Sequence, residues 1–281
     1  MRVTIFILLV FIPLTSFSAL RFKEVFYFSE RSNFSDSHYR NQRPPYYFPG
    51  NFAKEQRVEP KRWGEGEAEL MEEALSELLS LPQLQKMFLF LARKGPVALK
   101  RFAEYPGRVP GGLGRMNQGD KKIGSVKMWA AEQPSFYVGV TDDFFKYMGH
   151  LDREKQVKVA KYIGLHELSH LYDYRMRFSF RDQQFLRATG WKWAWFLRRW
   201  ENQYVPEEKR RALMKKVEEG EMSLRDLDRI VREQYGLPSF YSVTNPKETF
   251  AEVLAAYVLV PEAKDFLRPE IMDFLDGILN N

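Results

Sequence analysis

Apolar residues recur at helical spacing through much of the chain and at strand spacing in only two short runs, which predicts a mostly helical fold with a small sheet. From Gly64 onward, Leu70, Ala74, Leu75, Leu78 and Leu79 mark one face of a helix whose acidic opening suits an N-terminus. Pro82 starts a second helix that runs to about Arg93. Gly- and Pro-rich punctuation from Pro106 to Gly114 then leads to two runs of strand character, Gly124 to Trp129 and Ser135 to Thr141. The second of these is expected at a sheet edge. Asp152 to Tyr174 follows as one long helix, carried by Val157, Val159, Ala160, Ile163, Leu165, Leu168 and Leu171. The class is α+β, with a small mixed sheet ahead of the long helix and no internal repeat.

Upstream of Gly64 the periodicity is lost. Met1-Arg2 is a short positive start, and Thr4 to Phe17 is an apolar run followed by small residues at Ser18 and Ala19, which predicts a signal peptide over residues 1–18. A membrane span needs about 20 apolar residues, and this run stops before Arg21 and Lys23. The expected mature chain is secreted or periplasmic, without a transmembrane span. Residues 19–62 carry Pro44-Pro45 and Pro49-Gly50 and read as an extended arm or a pro-segment. Residues 63–281 then form the main domain.

Composition removes several chemistries. The 281 residues include no Cys, so there is no disulfide, no Cys-ligated metal, no thiol nucleophile and no lipid-bearing Cys behind the signal peptide. The net charge of +6 is too small to suggest a nucleic-acid partner. It is also local, because residues 175–240 hold 15 Lys and Arg against 10 Asp and Glu.

The long helix contains His166-Glu167-Leu168-Ser169-His170. Two His at i and i+4 leave one helix face with Cβ atoms about 5–6 Å apart, so both rings can reach one ion. Glu167 is offset toward the water that such an ion polarises and can take its proton. The competing reading, an exposed helix with two surface histidines, fits poorly with a surrounding sequence that is apolar nearly all round. The pattern predicts one Zn²⁺ per chain. The metzincin extension is excluded, because Asp173 and Met176 stand where its glycine and histidine belong. His38 and His150, in a tail and a turn, are poor third ligands. Glu248 is a better one: Asn245 caps and Pro246 opens an apolar helix in which Glu248 sits in the first turn and Glu252 one turn above it. Glu248 could instead close a capping box, but that leaves Glu252 without a partner. Glu252 is expected to hold the outer nitrogen of a ligand histidine. Asp173, three residues beyond His170, is expected as a hydrogen-bond partner or cap in the second shell.

His-Glu-x-x-His followed by Tyr241-x-x-Thr-Asn-x-x-Glu248-x-Phe-Ala-Glu252 resembles the catalytic domain of the anthrax lethal factor family, which includes the bacterial Pro-Pro endopeptidases. The resemblance implies a zincin-like metallopeptidase domain with His166, His170 and Glu248 as zinc ligands, Glu167 as general base and Tyr241 as the phenol that stabilises the oxyanion. It implies a protein or peptide substrate. One departure is the 77 residues between His170 and Glu248, an insertion at about 175–240. Four of the six Trp fall between 191 and 200, beside Lys192, Arg198 and Arg199. That segment is either a substrate-binding or anionic-surface contact, or a small strand pair with its own core. Val205 to Tyr235 reads as two charged helices separated by Gly220. Two alternatives to a peptidase remain: a non-catalytic binding module on the same fold, and a zinc amidase acting on cell-wall peptides.

Overall fold

The computed structural model describes residues 20–29, 60–93, 95–102, 117–118, 121–122, 128–131 and 137–280. The expected signal peptide, most of the arm, the opening of the Gly124–Trp129 run, and residues 135 and 136 lie outside them.

The elements run β1 (Phe26–Ser29), β2 (Pro60–Lys61), α1 (Glu65–Leu79), α2 (Gln85–Ala92), β3 (Val97–Phe102), β4 (Met128–Ala131), β5 (Tyr137–Thr141) and α3 (Asp142–Met148). They continue with α4 (Arg153–Met176), α5 (Gln183–Thr189), β6 (Trp191–Ala194), β7 (Arg199–Asn202), α6 (Glu207–Glu218), α7 (Leu224–Tyr235), α8 (Pro246–Leu259) and α9 (Pro269–Asn280). Helices predominate and the main sheet is small and mixed, an α+β architecture. No helix among the described residues is long and apolar enough to cross a membrane.

The sheet has the order β1-β3-β5-β4, with β1 and β5 parallel to β3, and β4 antiparallel to β5. β2 pairs with the far end of β3, Lys61 opposite Arg101. Two expectations need correction here. Tyr137–Thr141 is buried at all five positions and paired on both sides, so it is an interior strand; among the described residues the edge beside it is β4. Continuous burial, rather than alternation, marks such a strand. Part of the presumed arm is also structural, because Val25 and Phe26 are fully buried and Phe26–Ser29 runs alongside Val97–Lys100. The aromatic side chains of this strand pack, as Phe28 does against Trp63 with ring centroids 5.0 Å apart.

β3 escaped the periodicity because it carries Lys100 and Arg101 in a strand buried at every position. Arg101 is 3% exposed and makes a bidentate contact with Glu67, Nε to Oε2 at 2.9 Å and Nη2 to Oε1 at 2.8 Å. Its Nη2 also donates to Asp142 Oδ1 at 2.5 Å, and Lys61 Nζ donates to Asp142 Oδ2 at 2.9 Å. Glu67 Oε2 accepts from the Gly64 N–H as well, at 3.0 Å, closing the N-terminus of α1. One guanidinium therefore ties the starts of α1 and α3 to the central strand.

One continuous core joins Leu70, Leu75 and Leu78 of α1, Leu99, Val138 and Val140 of the sheet, Leu165 and Leu168 of α4, and Phe250 and Leu254 of α8. At Gly164 of α4 an added Cβ would lie 3.2 Å from Leu75 Cδ2, so glycine permits the close approach of α1. That contact presses the histidine-bearing part of α4 into the core.

Candidate metal centre

α4 begins at Asp152, whose Oδ1 accepts from the Lys155 N–H at 2.9 Å, and ends where Arg177 turns left-handed at φ 59°. His166, Glu167, Leu168 and Ser169 are all buried in its second half. α8 lies against it. Asn245 Oδ1 caps α8 by accepting from the N–H groups of Lys247 and Glu248 at 3.0 and 3.1 Å, with Pro246 in the first helical position. Because Asn245 supplies the cap unaided, the Glu248 carboxylate turns to the histidines and not back to the cap backbone.

Three donor atoms converge between the helices. His166 Nε2 and His170 Nε2 are 3.1 Å apart, and each is 3.2 Å from Glu248 Oε2. Ligands at about 2.0–2.1 Å from a tetrahedral zinc stand about 3.3 Å from one another. The triangle has nearly that edge, and two imidazoles with one carboxylate are a donor set that zinc favours. The residues present therefore fit the ion.

Further groups fix these ligands. His166 Nδ1 lies 3.0 Å from Glu252 Oε1, close but off the direction of a good hydrogen bond. Glu252 Oε2 accepts from Ser239 Oγ at 2.7 Å and from Tyr162 OH at 3.3 Å. Burial pushes the Glu252 carboxyl up, but His166 and the two hydroxyls outweigh it and hold the group as a carboxylate. Burial likewise raises Glu248, and the adjacent His170 and His166 reverse this, holding it well below the ordinary carboxylate range. Burial disfavours charge on His166, yet Glu248 and Glu252 raise its proton affinity overall. Glu167 goes the other way. Its burial dominates over the two histidines and a hydrogen bond from the Ala130 N–H, so its proton affinity is raised.

Tyr241 lies in a short 3₁₀ turn, Tyr241–Val243, entering α8. Its ring is 6.0 Å from that of His166, between centroids, and its side chain is 45% exposed at the mouth of the site. Burial and the nearby carboxylates Glu248 and Glu167 push the phenol up, so it stays a neutral donor. Asp173 is buried at the end of α4 with its carboxylate on Ser179, accepting from the N–H at 2.8 Å and the Oγ at 2.5 Å. It caps the next helical turn and reaches His170 only through its charge. His150 is exposed after α3, and His38 is outside the described residues.

Several contributors were missed. Tyr162 stands four residues before His166 on the same face of α4, a spacing that was available in the sequence. Ser239 and the Ala130 N–H come from elements far along the chain, and no local pattern points to them. The Trp-rich segment forms the β6–β7 hairpin, and it is tied to the site: Trp191 Nε1 donates to Thr249 Oγ1 at 2.7 Å, next to Glu248. α6 and α7 are the two charged helices expected, with Gly220 between them at φ 76°. No protein-family model matches the chain, and neither a curated protein nor a solved structure matches it.

Proposed function

We propose that the chain is a zinc-dependent peptidase in which Glu167 moves the protons and Tyr241 binds the carbonyl oxygen of the scissile bond. The observation that carries this reading is the triangle of His166, His170 and Glu248, with the carboxylates of Glu167 and Glu252 beside it and no Lys or Arg paired to any of the three among the described residues. Zinc held there would polarise the scissile carbonyl and lower the pKa of the attacking water toward about 7. Glu167 is suited to accept that water's proton, since burial raises its affinity for one. It then delivers the proton to the departing amine. The Ala130 N–H keeps one of its oxygens oriented.

The Tyr241 ring, 6.0 Å from that of His166, brings a neutral phenol beside the ligands, where it can donate to the charge that develops on the carbonyl oxygen. An extended peptide would add to β4, the strand whose Ala130 already reaches Glu167. Ser239 and Tyr162 hold Glu252, which holds His166, so the ligands are preset rather than gathered by the ion.

The test is zinc content and cleavage of an unbiased peptide library by the wild type and Glu167→Ala. The wild type should hold about one zinc and cleave, and the variant should keep zinc while losing about 10³-fold or more of the rate. Full activity in the variant would sink the mechanism. Zinc without cleavage of any peptide by the wild type would favour a binding module.

A further inference from the structure

The loop joining β6 to β7 is Trp195-Phe196-Leu197-Arg198, closing a hairpin in which Ala194 pairs with Arg199. Hairpin loops of this length normally take Gly, Asn, Asp or Ser, because the tip is in water and one position is left-handed. Here the left-handed position is Arg198, at φ 49°, and the other three residues are large and apolar. Trp195 is 81% exposed, Phe196 103% and Leu197 53%. They are contiguous, and nothing in the main core requires them.

The rest of the hairpin is built to hold that tip firmly. Trp191 is buried and bonded to Thr249, and Asn202 is buried, donating to the Thr189 carbonyl at 3.0 Å while accepting from the Val205 N–H at 3.1 Å. Between base and tip the rings of Phe180, Trp200, Trp193 and Trp195 follow one another at centroid distances of 5.6, 5.5 and 6.3 Å. Arg198 lies in the tip itself and Lys192 on β6 nearer the base, opposite Glu201; both are exposed and without an ion-pair partner among the described residues. Arg199, by contrast, is paired with Glu201 and Glu207.

From this arrangement we infer that the β6–β7 tip is a docking element for an anionic phospholipid surface. Trp195, Phe196 and Leu197 enter the boundary between headgroups and acyl chains, and Lys192 and Arg198 meet the phosphates. The tip is convex and fully solvated, whereas a site for a side chain or small ligand is concave. Tryptophan and phenylalanine beside Lys and Arg are the residue types that favour the membrane interface. The unpaired cations supply the charge complementarity, each strengthening binding to an anionic leaflet severalfold. This inference does not depend on the peptidase reading, since it uses no residue of the metal centre.

The absence of cysteine provides a clean test on the full chain. Phe196→Cys carries a single environment-sensitive fluorophore at the tip, and Glu72→Cys, exposed on α1, carries the same dye as a control that reports any binding through another segment. Vesicles of phosphatidylglycerol with phosphatidylcholine should shift the tip dye to the blue and shield it from an aqueous quencher, while the Glu72 dye stays unchanged. Pure phosphatidylcholine should act much more weakly. Lys192→Gln with Arg198→Asn, which keeps a residue tolerant of the left-handed turn, should weaken the response about tenfold or more at low salt. No shift at the tip with anionic vesicles would overturn the inference. So would an equal shift at both positions, or a tip dye that responds to an extended peptide and not to vesicles.

Discussion

Two polar clusters in this molecule, one round a single buried guanidinium and one buried almost throughout, gather carboxylates and answer the resulting charge in opposite ways. Around Arg101, the carboxylates of Glu67 and Asp142 meet the cations of Arg101 and Lys61, so the chain supplies both signs in equal number. Around His166 and His170, the carboxylates of Glu167, Glu248 and Glu252 meet no Lys or Arg among the described residues. The first cluster is complete in itself. The second is short of positive charge, and that deficit is met by protonating the rings or Glu167, or by admitting a cation. A neutral buried cluster needs nothing from solution and fixes elements to one another. In the deficient one the hydroxyls of Tyr162 and Ser239 go to Glu252 and orient it, and bring no charge.

The largest effect expected is therefore a response to metal removal confined to the second cluster. With zinc present at about a thousand times its dissociation constant, a site bound only in the folded state adds about 4 kcal/mol. A strong chelator should lower the urea midpoint of the wild type accordingly. Glu248→Ala should be insensitive to the chelator and hold no zinc. If the variant lost as much stability as the wild type on chelation, the ion would bind elsewhere and the contrast would fail.

Next in size is Arg101→Met, which leaves Glu67 and Asp142 facing each other beside a buried strand. Arg101 is itself buried, but Glu67 and Asp142 are partly exposed and Asp142 keeps Lys61, so losing the guanidinium's charged hydrogen bonds should cost about 2 kcal/mol. The guanidinium also lies 4.6 Å from the Phe145 ring centre, a contact that Met does not replace. Zinc content should be unchanged. A loss of zinc in this variant would mean that the clusters are coupled through the sheet, and a stability change near zero would mean that Arg101 is replaceable by any long side chain.

The two clusters also differ in how far the sequence discloses them. The candidate metal centre is legible because a helix repeats its face every three to four residues, so His166 and His170 on one helix, and Glu248 and Glu252 on another, each declare their spacing locally. Asn245 and Pro246 fix the start of α8 and with it the level at which Glu248 sits. The Arg101 cluster joins positions 61, 67, 101 and 142, and no local period links them. Lys100 and Arg101 even conceal β3, since charged residues argue against an interior strand until their partners are known. The same limit misplaced the sheet edge. Tyr137–Thr141 alternates too little to reveal that it is paired on both sides, by Met128–Ala131 just before it and by Val97–Phe102 much earlier in the chain. The hairpin was half legible: its Trp count marked it, but only the turn geometry separates buried Trp191 from exposed Trp195.

The smallest effect tests the neutrality of the Arg101 cluster by acid. Burial raises the Glu67 carboxyl, but hydrogen bonds from Arg101 and the Gly64 N–H and the Arg101 charge hold it below its ordinary value. Burial raises Asp142 too, and Lys61 with Arg101 outweighs it in the same direction. A carboxyl that is more acidic in the folded chain contributes stability that is complete above the unfolded value, near about 4, and lost as pH falls through the folded value. The stability gap between the parent and Arg101→Met should accordingly be constant above about pH 5 and narrow below about pH 4 as the two carboxylates take up protons. Making the measurement in a Glu248→Ala background, with no zinc to release, isolates this cluster from the other. A gap that stayed constant in acid would mean that the buried guanidinium is stabilised by packing rather than by its anions, and the equal count of charges round it would then be coincidental.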